Sequence, residues 1–214
     1  MTYLQIVNSV LRRLREEEVA SLNENEYSAL IADLVNVTKQ EIENAWDWAV
    51  LRNTLTVTTV DGIFNWILND SGTRFRVLDA YNATQRCWLQ LRPTEWMDER
   101  FAFVETVPKA PPQFYAFNGV DSNGDTQVDL YPVPDKEYEI RFNIVQPQKD
   151  LIVEADTPLV PYQLVIEGAV SRAISERGED GGSSDQEFRY NKLLSDYISI
   201  EAGRKPYETI WEAI

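Results

Sequence analysis

The sequence predicts an α+β protein. An antiparallel helical module of four helices is interrupted by an inserted antiparallel β subdomain and followed by an extended C-terminal tail. Two stretches carry the prediction. Across residues 24–60, Tyr27, Leu30, Ile31, Leu34, Thr38, Ile42, Ala45, Trp46 and Ala49 recur at helical spacing, and past Arg52 the period drops to two through Leu55, Val57 and Thr59. No Gly or Pro separates these regimes, so helix is expected to run directly into strand, with Trp46 and Trp48 at a rigid joint. At the far end of the β region Tyr138, Ile140, Phe142 and Ile144 alternate cleanly, and helical spacing returns only after Pro147. The expected organisation is a helical hairpin over residues 1–50, a β subdomain over 51–147, a completing helical pair over 148–203 and a docking tail over 204–214.

The elements follow in order. Thr2 with Gln5 makes a capping-box pattern ahead of the stripe Tyr3, Ile6, Val7, Val10, Leu11 and Leu14. A short link then leads into the second helix, so the two should pack as an antiparallel hairpin. Asp61-Gly62 signals a β-hairpin between strands at 55–60 and 63–68, and residues 69–72 form a second turn. Further strands are expected at 75–81, 87–91, 114–117, 127–131 and 137–144. Pro93 should open a short helical turn with Trp96 and Phe101 facing inward. Pro161 then opens a helix carrying Tyr162, Val165, Ile166, Ala169, Val170, Ala173 and Ile174, which Gly178 should end. Ser184 with Glu187 reads as a capping box for a last helix that buries Tyr190, Leu193, Leu194, Tyr197 and Ile198 and stops at Gly203.

Composition excludes several function classes. The 214 residues are 43% hydrophobic and 26% charged, enough to bury a full core. No apolar run approaches the ~20 residues that span a bilayer, and the N-terminus lacks a signal-peptide pattern, so no membrane is expected. The single cysteine, Cys87, forms no internal disulfide and is expected as a buried, inert thiol in an apolar strand. Histidine is absent, which removes Ser-His-Asp and Cys-His catalysis and His-based metal sites. A formal charge of −15 opposes adhesion to phosphate backbones.

No catalytic or cofactor residue stands out. Residues 121–129 space oxygen groups like the start of a calcium loop, but Thr126 and Pro132 stand where such a loop needs Gly and Glu. A hairpin tip accounts for them without metal. Glu16–Glu18 or Asp98–Glu99 would supply paired carboxylates for glycoside cleavage, yet with 35 acids such neighbours arise by chance. Arg86, Arg92 and Arg100 look too sparse among the aromatics to make a base-stacking platform. The expectation is therefore no catalytic, cofactor-binding or metal residues. A catalytic carboxylate pair and a calcium- or carbohydrate-binding module stay as alternatives. The tail resists a core reading. Tyr207, Ile210, Trp211 and Ile214 either fold back on their own domain or dock into a partner, with Trp211 as the anchor.

The layout of helix, helix, β insertion, helix, helix and tail resembles the head-to-tail adaptors of tailed bacteriophages, among them the tail tubular protein A family. The likeness rests on residues 35–48 (VNVTKQEIENAWDW) running into strand, on 128–135 (VDLYPVPD), and on 156–161 (DTPLVP) opening 164–169 (LVIEGA). It implies a virion structural protein in the neck of the particle, a subunit of a dodecameric ring beneath the portal. Such a ring extends the DNA channel towards a tail tube or nozzle protein and touches neighbouring copies. It would pass DNA without specific binding, and its C-terminal segment would contact the portal. Some adaptor-like tail proteins degrade peptidoglycan, which keeps a virion-associated hydrolase as the alternative the resemblance itself suggests.

Overall fold

The computed structural model describes residues 1–72, 75–178 and 183–203. In chain order these form α1 (Tyr3–Arg13), α2 (Glu26–Ala45), β1 (Arg52–Thr58), β2 (Asn65–Leu68), β3 (Arg76–Asn82), β4 (Cys87–Trp88) and β5 (Gln90–Leu91). There follow α3 (Thr94–Ala102), β6 (Phe114–Val120), β7 (Thr126–Tyr131), β8 (Glu139–Val145), α4 (Tyr162–Glu176) and α5 (Ser183–Ala202). The protein is thus mixed α+β, with five helices and two sheets among the described residues. It divides into two compact units: Met1–Leu51 with the chain from Pro147 onward, and Arg52–Gln146.

In the helical unit, α1 starts where the sequence puts it. The Gln5 N–H donates to the Thr2 hydroxyl, and the Thr2 N–H donates at 3.0 Å to the Gln5 side chain. Its stripe of Tyr3, Ile6, Val7, Val10, Leu11 and Leu14 is buried. Two more orphan donors of its first turn, the N–H groups of Tyr3 and Leu4, reach the carbonyls of Asp156 and Glu154. That same returning segment runs along α2. Asn36 accepts from the Leu151 N–H and donates to the Leu151 carbonyl, and Gln40 donates to Asp150. Helix α4 packs against α1, α2 and α5, and Gly178 at φ 69° ends it.

The α2–α4–α5 crossing is set by Gly168. A Cβ there would lie 2.5 Å from Thr38 Cγ2 and 2.8 Å from the Tyr190 ring. Gly168→Ala gains about 1 kcal/mol of helix propensity but forces an overpacked contact costing about 1–3 kcal/mol. We expect a lower melting temperature; an unchanged or raised one would show that the contact relaxes freely.

Three expectations in the helical unit need correction. Helix α2 does not pass straight into strand. It ends at Ala45, Trp46 turns extended, and a 3-10 turn at Ala49–Leu51 precedes β1. The cause is Trp48, which is buried and donates its indole N–H at 2.7 Å to the Ile42 carbonyl, one of the helix's last four acceptors. Ser184 is no cap, because α5 already includes Ser183. Of the residues expected inward on α5, Tyr190 is buried, while Leu193, Leu194, Tyr197 and Ile198 are only half-buried. Helix α4 is the neighbour against which α5 mainly packs.

The β unit is two four-stranded sheets, ordered β1-β8-β3-β4 and β2-β7-β6-β5. Leu55, Val57, Ile140, Phe142 and Ile144 from the first share one core with Leu68, Tyr115, Val128 and Leu130 from the second. The alternations of β1 and β8 are as the sequence reads, with Thr54, Thr56 and Thr58 exposed. The hairpin at Asp61-Gly62 is not. The turn forms, with Gly62 at φ 82°, but β1 pairs with β8 and β2 with β7. The chain changes sheet there because both flanking strands carry an apolar face that the other sheet covers. The strand at 87–91 divides for the same reason. The N–H of buried Leu89 donates to Ala80 in the first sheet, and the next N–H, of Gln90, donates to Gln113, the residue just before β6 of the second. Strand β5 then pairs parallel with β6. Cys87, on the short edge strand β4, is half-buried rather than buried. The helical turn expected after Pro93 is the nine-residue α3, packed against β6.

Candidate interaction surfaces

The residues singled out in the tail, Tyr207, Ile210, Trp211 and Ile214, lie outside the described residues. The paired acids considered for hydrolysis are spent on other bonds or stand exposed. Glu16 pairs with Arg177 at 2.6 Å and Glu18 with Arg12 at 3.2 Å, while Asp98 and Glu99 sit on the exposed side of α3. Residues 121–125 form the tip joining β6 to β7. There Asp121 accepts from the N–H groups of Asn123 and Asp125, and Asp125 accepts from the Gly72 N–H. Among the described residues no group of three or more acids or thiols is arranged to hold a metal.

What the fold does assemble is an aromatic and cationic face over the second sheet. Met97 anchors α3, being 1% exposed. That leaves Trp96 against Phe114 at 5.0 Å and edge-on to Tyr131 at 5.4 Å, with Phe101 also edge-on to Tyr131 at 5.8 Å. Phe64 closes the cluster, 4.5 Å from Phe101. Two arginines converge on Trp96, Arg100 at 4.7 Å from its ring centre and Arg92 at 5.5 Å, with Arg92 also 5.0 Å from Phe114. Arg92 and Arg100 are far from sparse once folded: β5 and α3 bring them to one ring. Trp96 and Arg100 are one helical turn apart, a spacing legible in the sequence, whereas Arg92 and Phe114 arrive through the sheet. Phe103, 82% exposed, follows three residues after Arg100 at the end of α3.

Asp129 lies on β7 paired with Ala116 of β6, buried and bonded by Asn65 at 2.6 Å. Burial raises its carboxyl above the ordinary value, although Asn65 and Asn118 oppose the rise. A carboxyl raised in the folded state favours folding while protonated, and that contribution is lost as pH climbs through the raised value. Asp129→Asn should therefore raise the melting temperature at neutral pH, with the gain shrinking as pH falls towards the carboxylate range. A pH-independent loss would contradict it.

In the helical unit a cavity of about 410 Å³ is lined by Leu34, Glu41, Arg172, Glu187 and Tyr190. Arg172 donates to Glu41 across it. The buried Tyr190 hydroxyl has no hydrogen-bond partner among the described residues, and burial pushes it up to about 12, so it remains a donor. Among the described residues no helix is long and apolar enough to cross a membrane.

The family model described as SU10 adaptor protein matches residues 1–208, spanning both units. Comparison with curated proteins gives no match.

Proposed function

The chain belongs to the SU10 adaptor protein family, and from that membership we propose that this phage adaptor is a non-catalytic structural subunit of the virion neck. It forms a ring beneath the portal, extends the DNA channel and receives the tail tube or nozzle. The carrying observation is the extent of the match, residues 1–208, which takes in the helices, the β unit and the first part of the tail. In this reading α1, α2, α4 and α5 act together as the helical module of the ring, and Tyr207, Ile210, Trp211 and Ile214 dock into a partner subunit. The charge of −15 supports a conduit that DNA crosses without adhering. It also supports a protein that stays monomeric until a partner organises it, because like-charged subunits repel.

Electron microscopy of the purified protein, alone and mixed with portal protein, tests this. We expect isolated monomers alone and a ring of added density beneath the portal in the mixture. Absence of that density would refute the portal role, and a stable ring at modest salt without portal would refute assembly on the partner.

A further inference from the structure

Arg92 and Arg100 share Trp96, yet among the described residues neither meets a carboxylate. The chain has 35 acids against 20 bases, and Arg12, Arg13, Lys39, Lys109, Arg141, Arg172 and Arg177 each pair with one, whereas the two guanidiniums on Trp96 keep their charge unneutralised. Arg92 gives one amino group to the Gln90 side chain and buries its Nε. The rim most open to an anion is therefore that of Arg100, whose stacking on Trp96 leaves its N–H donors facing outward. One helical turn on from Arg100, Phe103 is an aromatic side chain 82% exposed. The matching surface would carry aromatic or aliphatic anchors interleaved with acids.

One segment of this chain has that composition. Residues 204–214 (RKPYETIWEAI) set Glu208 and Glu212 among Tyr207, Ile210, Trp211 and Ile214. We propose that the tail of one copy docks on the Arg92–Trp96–Arg100 face of a neighbouring copy, its glutamates meeting the arginines and its apolar residues covering the aromatic cluster. This rests on the reading of the tail as a docking segment and names its receptor. Eleven residues reach up to about 35–40 Å when extended. A tail on one side and a receptor on the other make a heterologous contact, the kind that closes into rings. Charge complementarity also sets partner choice, since Glu208 and Glu212 are repelled by most of this acidic surface and attracted to the two arginines.

Two measurements test it in the full-length chain. A fluorescent peptide of residues 204–214 should bind the protein, and Arg100→Glu should weaken that binding about tenfold, the range for an exposed charge pair turned repulsive. A peptide carrying Glu208→Arg and Glu212→Arg should recover binding to the Arg100→Glu protein. Equal binding to both proteins, or none to either, overturns the proposal. In assemblies on portal made from mixed light and heavy copies, a photoreactive group at position 211 should cross-link to residues 91–104 of another copy. Cross-links to portal alone would leave the tail a docking segment while overturning this receptor, and cross-links within one copy would overturn both. Circular dichroism confirms that Arg100→Glu, an exposed change, leaves the fold intact.

Discussion

Replacing Lys39 by Met should destabilise the protein by about 3–5 kcal/mol, far more than an ordinary helix-surface substitution. Lys39 and Glu43 are both fully buried on α2, with the ammonium 3.2 Å from each carboxylate oxygen and 2.8 Å from the Gln148 carbonyl. Removing the cation leaves Glu43 as an uncompensated charge in the interior, and it also cuts a bond that holds the returning chain on the helix. Burial already raises the Glu43 carboxyl, with Lys39 opposing the rise. The variant should push it further up. A carboxyl raised in the folded state contributes stability below its raised value and loses it as pH climbs, so the cost should shrink on acidification. The double variant Lys39→Met with Glu43→Leu should recover most of the loss, since an apolar pair of similar volume replaces a buried ion pair at little cost. Urea unfolding of both singles and the double gives the coupling directly. Additive effects, or a Lys39→Met cost under 1 kcal/mol, would mean that the pair is solvated in solution.

Deleting residues 206–214 should abolish assembly on the portal while leaving the melting temperature of the monomer within a few degrees of wild type. The buried apolar residues of the described chain, from Tyr3 to Tyr190, all lie upstream of the deletion. A Trp at the centre of an interface contributes about 2 kcal/mol or more, and a ring repeats that loss at every subunit, so a modest deficit per contact becomes failed assembly. If the segment instead covered its own core, the truncation would expose apolar surface in the monomer and lower its stability by a comparable amount. Thermal melting of the truncated protein followed by mixing with portal separates the two outcomes. A large drop in melting temperature with assembly retained would defeat the docking reading.

The sequence by itself determined the features whose physics is local. Helical and strand periods placed the buried faces of α1, α4, β1 and β8, because a side chain's direction follows from its position along its own element. The Thr2–Gln5 box and the Gly178 stop were equally legible, since each is closed within a turn of backbone. Even Lys39 and Glu43 stood one turn apart on the apolar face of α2, a signal that the habit of assigning charges to solvent conceals. Tertiary structure alone decided the partners. The Asp61-Gly62 turn has the same local chemistry whether it joins a hairpin or carries the chain to another sheet, and only burial of two apolar faces against each other selects the second. Leu89 likewise splits a run of strand-like residues because its two sides bond to different sheets. Arg92, Trp96 and Phe114 meet for the same reason: strand β5 pairs with β6, a register fixed by long-range packing and invisible to any local period.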